Sequence, residues 1–449
     1  MPKEVDKEKE LVRDLGDGLV LRRAGKEDAD AVATFNSLVH REPGDEQPDE
    51  GVGAWTRDLM SGEHPTTSAS DFLVVENTST GEIISSMNLI SQKWTYGGIE
   101  FGVGRPEAVG TSPEYRRRGL VRAQFDVIHE WSARRGEMVQ VITGIPWYYR
   151  QFGYEMGLAL SGGRSGYPPA LPKLKEGEEE PYTLRPALDA DIPFMGEMYA
   201  QATNRSLVAC VYDEETWRYY LHGPSEKNFT GRNWCIIQTS QGEPVGLLAY
   251  SPRLGRTAVS STFYEVKEGV SMAIVTPSVL RFLWAKGREI GEHVGKEADH
   301  FNFHLGAEHP VYEVLGRSLP TVYKPYAFFV RVPDVRAFLD HIKPALEQRV
   351  GESPVAGHTG EVKINFYQGG IRLALENGKI TTVENWKPDQ PNDGDAAFPD
   401  LTFLQLLFGY RSLEELQYAF ADCWVNNDTS RALLTTLFPK QNSHVWPLE

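Results

Sequence analysis

The spacing of apolar residues changes at one point in the first third of the chain. Residues 108–111 close a run that is typical of a strand. From residue 120 to residue 135 the apolar side chains recur at helical spacing, and Gly136 follows as a helix stop. The polar segment between them, PEYRRRG, holds three consecutive arginines and a glycine. The pattern therefore predicts a strand, a loop and a helix in that order.

Three short patterns each occur twice, in the same order along the chain. The pairs are residues 20–24 with 183–187, the Gly-Glu turn at Gly81 with that at Gly242, and residues 146–153 with 310–316. The first pair predicts a short strand that runs into a helix with acidic residues near its start, and the second predicts a turn that leads into a strand. Three pairs in one order predict two tandem copies of one α/β fold.

Proline and charged residues are concentrated in residues 167–181, which predicts a linker between the two copies. The expected domains are therefore residues 1–166 and 182–331. A third segment, 332–449, holds strand-like runs followed by helix-like runs from about Thr402, an order typical of an α+β domain. The length of 449 residues agrees with two or three domains.

The composition is that of an ordinary globular protein, with 41% apolar and 24% charged residues. No apolar run approaches the roughly 18 residues of a membrane span, and the charged N-terminus lacks a signal-peptide core. The three cysteines lie far apart and favour neither a disulfide framework nor a zinc site. We therefore expect a cytoplasmic protein with no membrane partner.

The formal net charge of −16 argues against nucleic acid as a partner, because phosphate contacts require a basic surface. An acidic surface can steer a cationic substrate, and it can equally keep the protein soluble. His300 and His304 lie in a period-two pattern that predicts a strand. Residues four apart in a strand are separated by ~13 Å, too far to share a metal ion, so we expect no metal site.

The arginine-glycine loop has the chemistry of an anion site. Backbone N–H groups at a helix N-terminus point outwards, and Gly119 allows a phosphate to approach the main chain closely. The arginines add charge-assisted hydrogen bonds, which predicts a di- or polyphosphate ligand. The alternative is a solvated helix start, although arginines at that end oppose the helix dipole.

The order of strand, VGTSPEYRRRGLV, helix and second strand VQVIT resembles the acetyl-CoA-binding motif of the GNAT acyltransferase superfamily. Residues 116–120 fit its Arg/Gln-x-x-Gly-x-Gly/Ala loop, and Val121 departs from the usual small residue. The triple arginine, together with PWYYRQFGYEMGL at residues 146–158, is similar to the enhanced-intracellular-survival (Eis-like) acetyltransferases. The resemblance covers most of the chain and is strongest over residues 100–160.

The resemblance implies an α/β and α+β protein with two tandem GNAT-like mixed α/β domains and a sterol-carrier-protein-like C-terminal domain. It implies an amine N-acetyltransferase that uses acetyl-CoA. The acceptor would be an aminoglycoside, a polyamine or a peptide lysine, attacking directly in a ternary complex. It also implies a homo-oligomer, a hexamer or smaller. The second copy has no Arg-x-x-Gly loop, so we expect a single cofactor site, in the first copy.

The resemblance assigns cofactor binding to the strand end and to the loop. Val109 and Thr111 would offer backbone groups to the pantetheine arm like an added strand. The arginines from residue 117 to residue 122 would surround the pyrophosphate. The expected cofactor-binding residues are Val109, Gly110, Thr111, Arg116, Arg117, Arg118, Gly119, Leu120, Val121, Arg122 and Tyr149.

A departing thiolate must gain a proton, and Tyr154 is the candidate general acid. The resemblance places this tyrosine beside the sulfur, and a phenol with a pKa of ~10 can donate to a thiolate. The alternative is a half-buried strand tyrosine with its hydroxyl in water. Tyr148 and Tyr149 compete for the role, although they are more typical of packing or of the cofactor wall.

The attacking amine must lose a proton to a base. In Eis-like enzymes this base is the C-terminal carboxylate, and the resemblance carries the role to Glu449. The carboxylates of residues 45–50 are alternatives, unless that loop is only a solvated lid. Trp55 lies on a helix predicted over residues 52–60, where the resemblance implies the acceptor pocket; the alternative is a core tryptophan.

A non-catalytic acyl-CoA sensor or scaffold, built on the same domains, is the alternative function. The two functions differ in what Tyr154 does, because only an enzyme requires a proton donor there.

Overall fold

The computed structural model describes residues 13–42, 44–399 and 401–445. The first group of elements is β1 (Arg13–Gly16), β2 (Leu19–Arg23), α1 (Ala29–Val39), α2 (Glu50–Met60), β3 (Phe72–Asn77), β4 (Glu82–Tyr96), β5 (Ile99–Thr111), α3 (Leu120–Arg134), β6 (Val139–Ile142), β7 (Glu155–Leu160) and β8 (Gly163–Gly166). The second group is β9 (Tyr182–Pro186), α4 (Ile192–Thr203), β10 (Val208–Cys210), α5 (Glu214–His222), β11 (Asn233–Thr239), β12 (Pro244–Tyr250), β13 (Ala258–Val266), α6 (Met272–Val294), β14 (His300–Phe303), α7 (Pro310–Leu315), β15 (Thr321–Tyr323) and β16 (Tyr326–Arg331). The third group is α8 (Val335–His341), α9 (Lys343–Gly351), β17 (Gly360–Asn365), β18 (Gly370–Glu376), β19 (Lys379–Trp386), β20 (Ala396–Ala397), α10 (Phe403–Leu407), α11 (Leu413–Ala419), β21 (Trp424–Val425), α12 (Asp428–Leu437) and β22 (Ser443–His444).

Helices cover both faces of the first sheet. Its strand order is β1-β2-β3-β4-β5-β6-β16-β7, with β10 and β22 joined at the end of β4. Because successive side chains of a strand point to opposite faces, β3 contributes to two cores. Leu73 and Val75 pack with α3 on one face, and Phe72 and Val74 pack with α1 and α2 on the other.

The first two sheets exchange one strand each. β16 lies between β6 and β7 in the first sheet, and β8 lies between β14 and β15 in the second. The chain passes from one sheet to the other at Ser161 and Gly162. The ranges 1–166 and 182–331 stay a prediction, and the strand pairing adds that each range contributes one strand to the other's sheet.

The same type of arginine–aspartate ion pair occurs once in each predicted copy. Arg22 binds Asp28 with hydrogen bonds of 2.7 and 2.8 Å, and Arg185 binds Asp191 with hydrogen bonds of 2.6 and 2.8 Å. In each copy the arginine lies in a strand and the aspartate immediately precedes a helix. The shared geometry agrees with two copies of one fold.

The third sheet has the order β19-β18-β17-β20-β21. The strands predicted after residue 360 and the helices predicted from residue 402 are confirmed. Two helices, α8 and α9, precede these strands, and their core is continuous with the first sheet, as the contact of Tyr96 with Phe338 and Phe408 illustrates. The mixed α/β fold class is confirmed, and the likeness of this part to sterol carrier proteins stays a prediction. Among the helices of the described ranges, none has the length and apolar character to cross a membrane.

Candidate active site

A cavity opens where two parallel strands of the first sheet part. β5 pairs with β6 at Val103 and Gly104, and the described pairing ends there. The cavity has a volume of about 850 Å³ and lies between the last residues of β5, the start of α3 and the segment that follows β6. A strand edge without a neighbour offers its backbone groups to an extended ligand.

A bulge in β5 turns several consecutive residues towards this cavity. Asn88 of β4 pairs with Glu107, whereas Ser86 pairs with Gly110, so β5 has one extra residue in the interval. Ala108 lies in the bulge and has a φ of 50°, which is unusual for a residue with a side chain. As a result the five residues 107–111 all line the cavity, instead of every second one.

The predicted loop and helix form the mouth of the cavity. α3 begins at Leu120 as predicted and ends at Arg134, and Gly136 has a φ of 71°. Gly119 has a φ of 79°, and no side chain caps the helix N-terminus. The first N–H groups of a helix have no partner within the helix, so they are available to a ligand at this mouth.

The three arginines differ in their surroundings. Arg116 lines the cavity and donates to the backbone carbonyl of Thr111 at 3.3 Å. Arg118 donates to the carboxylate of Asp17 at 2.6 Å and does not line the cavity. Arg117 has a φ of 64°, a left-handed conformation that costs ~1–2 kcal/mol. Within the part of the chain that the structure describes, its guanidinium has no ion-pair partner.

Most of the predicted site residues come together in this one cavity. They are Trp55, Val109, Gly110, Thr111, Arg116, Arg117, Gly119, Leu120, Val121, Arg122 and Tyr149. Arg118 and Tyr154 do not line it. Glu449 lies outside the described residues.

Tyr154 lies in the core of the first sheet and not at the cavity surface. Its side chain is completely buried, and its hydroxyl forms a 2.9 Å hydrogen bond with Nε2 of His129. Burial raises the pKa of Tyr154 and lowers the pKa of His129 to about 3, so both groups are neutral near pH 7. The structure therefore does not bring this tyrosine to the place expected for a proton donor.

Tyr149 does reach the cavity. It lies on the short 3-10 helix Tyr148–Phe152, and its ring packs against Phe329 at a centroid distance of 5.4 Å. A Cβ at Gly144, whose φ is 137°, would lie 2.8 Å from this ring, so glycine makes room for it. Burial raises the pKa of Tyr149, and the nearby carboxylate of Glu107 raises it further. The hydroxyl therefore keeps its proton at neutral pH.

Glu107 also lines the cavity, and the sequence analysis missed it. Its carboxylate is buried and accepts hydrogen bonds from Arg105 at 3.1 Å and from the hydroxyl of Thr143 at 3.3 Å. Burial raises the pKa of Glu107, and Arg105 opposes that rise. The available signal was an Arg-x-Glu pair inside an otherwise apolar strand, since such residues are rarely buried unless they are paired.

The far side of the cavity is aromatic. Trp55 of α2 lines it and is also buried in the core, so both interpretations of this residue apply. Phe229, from the loop between α5 and β11, contacts Trp55 edge to face at a centroid distance of 5.5 Å. The second group of elements thus contributes one wall of a cavity that otherwise belongs to the first sheet.

The other candidate chemistries are not assembled. Among the cavity-lining residues there is no carboxylate from the loop at residues 45–50; Asp49 caps α2 at 3.0 Å, and Glu50 pairs with Lys227 at 2.8 Å. His300 binds Asp299, and His304 contacts Tyr323. Within residues 13–42, 44–399 and 401–445 there is no group of three possible metal ligands.

The donors at the mouth fit the two polar parts of acetyl-CoA. The start of α3, with Arg116, Arg117 and Arg122 beside it, suits a pyrophosphate. The open edge of β5 at Val109 and Thr111 suits the amides of an extended pantetheine arm.

The fold is shared with several solved structures. A conserved protein of unknown function from Enterococcus faecalis V583, described as a probable N-acyltransferase, has a TM-score of 0.63 and 16% identity, covering 96% of this chain and 98% of that one. A GCN5-related N-acetyltransferase from Kribbella flavida has a TM-score of 0.62 and 17% identity, with coverage of 96% and 98%. Eis1 from Mycobacterium abscessus has a TM-score of 0.58 and 14% identity, with coverage of 96% and 99%. At these identities the similarity shows the fold alone.

Comparison with known sequence families identifies the same region of the chain. No curated protein matches the chain. Residues 20–157 match the family described as acetyltransferase (GNAT) domain, and this range contains the parting of β5 and β6, the arginine-glycine loop and Tyr149. Residues 20–157 therefore carry a GNAT acetyltransferase domain, and GNAT acetyltransferases transfer acetyl from acetyl-CoA.

Proposed function

We propose that this protein is an N-acetyltransferase that transfers acetyl from acetyl-CoA to a primary amine by direct attack in a ternary complex. One observation carries the proposal: a single cavity joins the arginine-glycine loop, the open edge of β5, a buried carboxylate and a protonated tyrosine. A scaffold would need the first two features and not the last two.

Glu107 is the proposed general base. An amine is an ammonium ion at neutral pH and must lose a proton before it can attack. A carboxylate whose pKa is raised by burial is a stronger base than an exposed one, and the hydrogen bond from Arg105 opposes that rise. The C-terminal carboxylate of Glu449 is the competing proposal, and it predicts a different mutant phenotype.

Tyr149, and not Tyr154, is the proposed general acid. When acetyl-CoA is bound, it supplies the thioester whose sulfur leaves. Tyr149 holds a proton at the cavity wall, whereas the hydroxyl of Tyr154 is engaged with His129 in the core. Packing of the Tyr149 ring against Phe329 fixes the direction of its hydroxyl.

Turnover with a panel of primary amines tests the proposal. The purified protein is mixed with acetyl-CoA and each amine, and the release of free thiol is followed. We expect thiol release that depends on the amine and acetylated product by mass spectrometry. Acetyl-CoA binding without turnover for any amine would instead support the acyl-CoA sensor.

A further inference from the structure

The acceptor side of the cavity carries little charge. Side chains from α1, α2 and the loop before β11 line it: Val39, Val52, Trp55 and Phe229. Among the described residues that line the cavity, Glu107 is the single carboxylate. Burial lowers the pKa of His40, which also lines this side, so the imidazole is neutral near pH 7.

Phe229 is held at this wall by hydrogen bonds between α2 of the first group of elements and the loop that follows α5 in the second group. The carboxylate of Asp58 on α2 accepts hydrogen bonds from the backbone N–H of Ser225 at 2.8 Å, from its hydroxyl at 2.9 Å and from the side chain of Asn228 at 2.7 Å. Arg253 donates to the carbonyl of Asn228 at 2.9 Å. These bonds fix the segment from Ser225 to Asn228, which immediately precedes Phe229.

α2 is shaped to receive that side chain. A Cβ at Gly51 would lie 3.1 Å from the Cβ of Phe229, closer than most packed carbons, so glycine allows the aromatic residue to approach the helix. The ring then meets Trp55 edge to face, at an interplanar angle of 67°. The two rings therefore form a preformed apolar wall and not a chance surface contact.

The number of ammonium groups on an amine decides whether it can bind against this apolar wall. Each additional ammonium group of a polyamine or an aminoglycoside would lose its water against apolar side chains without gaining a carboxylate, which is unfavourable. Arg116, Arg117 and Arg122 at the other end add repulsion. A single amino group on an apolar body brings only one charge into the cavity, and Glu107 is the lining carboxylate that can receive it.

We infer that the acceptor is a primary monoamine with an aromatic or similarly sized apolar body, and that Phe229 and Trp55 select it. This inference rests on the proposed function and narrows its substrate class. It also gives the second group of elements a part in the reaction, because Phe229 belongs to that group.

Binding and turnover together test the inference. The wild-type protein, in the presence of CoA, is titrated with phenethylamine and with spermidine in a calorimeter, and acetylation of both amines is measured. We expect phenethylamine to bind more tightly and to have the higher kcat/KM. The variant Phe229→Ala should raise the KM for phenethylamine about tenfold without changing the affinity for CoA. Phe229→Leu should restore most of this loss.

The control is Phe420→Ala, which removes a partly exposed phenylalanine from the third group of elements and should leave the KM unchanged. Tighter binding of spermidine, no binding of either amine, or an unchanged KM in Phe229→Ala would each overturn the inference. Binding of phenethylamine without any acetylation would leave the selectivity standing and would reject the proposed function.

Discussion

The two segments predicted to be copies of one α/β fold differ at the strand that would receive an extended ligand. In the first copy, Ser85 pairs with Thr111 at the end of β5, and the pairing with β6 covers two residues. In the second copy, Gly246 pairs with Val266 at the end of β13, and the parallel pairing with β14 covers four residues. Beyond the paired residues β5 continues from residue 105 to residue 111, whereas β13 continues from residue 262 to residue 266, so a shorter stretch of β13 lacks its parallel neighbour.

A side chain fills the corresponding edge in the second copy. The amide of Gln201 donates to the carbonyl of Val266 at 2.9 Å and accepts from the backbone N–H of Glu268 at 2.8 Å. In the first copy the described pairing of β5 with β6 ends at Gly104, so no strand covers this edge at Val109 and Thr111. A cavity of about 500 Å³ also lies beside the second copy, but neither β13 nor α6 lines it.

The difference separates what folding needs from what the reaction needs. The second copy has no arginine-glycine loop, and its long helix α6 starts without one. A strained residue such as Arg117 is therefore not required to build this fold. Residues that only the first copy places around its cavity are the ones to test.

The largest expected effect is at Glu107. We predict that Glu107→Gln lowers kcat about 10³-fold while the Kd for acetyl-CoA stays unchanged, because a base is lost and the cofactor contacts remain. In the wild type, kcat/KM should rise with pH as Glu107 ionises, through a pKa above the usual carboxyl range, and the variant should lose this acidic limb.

Two controls accompany this variant. Glu137 is also a buried carboxylate with a pKa raised by burial, but it does not line the cavity, so Glu137→Gln should leave kcat nearly unchanged. Deletion of Glu449 should change kcat less than twofold. A large loss on that deletion, with Glu107→Gln active, would assign the base to the C-terminus instead.

A smaller effect should separate the two tyrosines. We predict that Tyr149→Phe lowers kcat about 10²-fold, since the cavity loses its proton donor. Tyr154→Phe should retain turnover and lower the free energy of unfolding by about 1 kcal/mol, because the hydrogen bond to His129 is lost. Steady-state kinetics and chemical denaturation of both variants provide the measurements, and the reverse result in kinetics would return the acid role to Tyr154.

A smaller effect is expected for substitutions in the arginine-glycine loop. Arg117→Ala should weaken acetyl-CoA binding about tenfold in calorimetry, because a guanidinium that lines the mouth is lost. Arg118→Ala removes a residue that pairs with Asp17 outside the cavity and should weaken binding less. Equal losses in both variants would show that the loop acts only through its total charge.

The smallest effect on activity is expected in the second copy. Gln201→Ala should leave turnover unchanged and lower the free energy of unfolding by about 1–2 kcal/mol, because two backbone groups lose their partner. Thermal denaturation measures this loss. A gain of acetyl-CoA binding in the variant would mean that the second copy is blocked by this one side chain and has not lost the site.

The sequence predicted those parts of the site that depend on local order. The change from strand to helical spacing located Thr111 and Leu120, and the arginine-glycine motif located the mouth, because period and glycine conformation are local properties. Tyr154 was preferred over Tyr149 from a motif alone. Which of two nearby tyrosines faces a cavity depends on packing against Phe125, Phe329 and His129.

Other parts depended on contacts that no local pattern encodes. Glu107 occupies one position of a strand, and its proposed role follows from a bulge and from its partners Arg105 and Thr143. Phe229 comes from the second copy, far along the chain from Trp55. The exchange of β8 and β16 requires pairing between distant strands, for which apolar spacing gives no signal.

That exchange determines when the candidate active site can be completed during synthesis. β6 lines the cavity through Ile142, and its other neighbour is β16, which pairs Phe329 with Ile142. The ribosome must therefore add the whole second copy before this sheet can close. The nascent first copy has to wait with an open strand edge, so a chain cut after residue 166 would be an aggregation-prone fragment rather than a smaller enzyme.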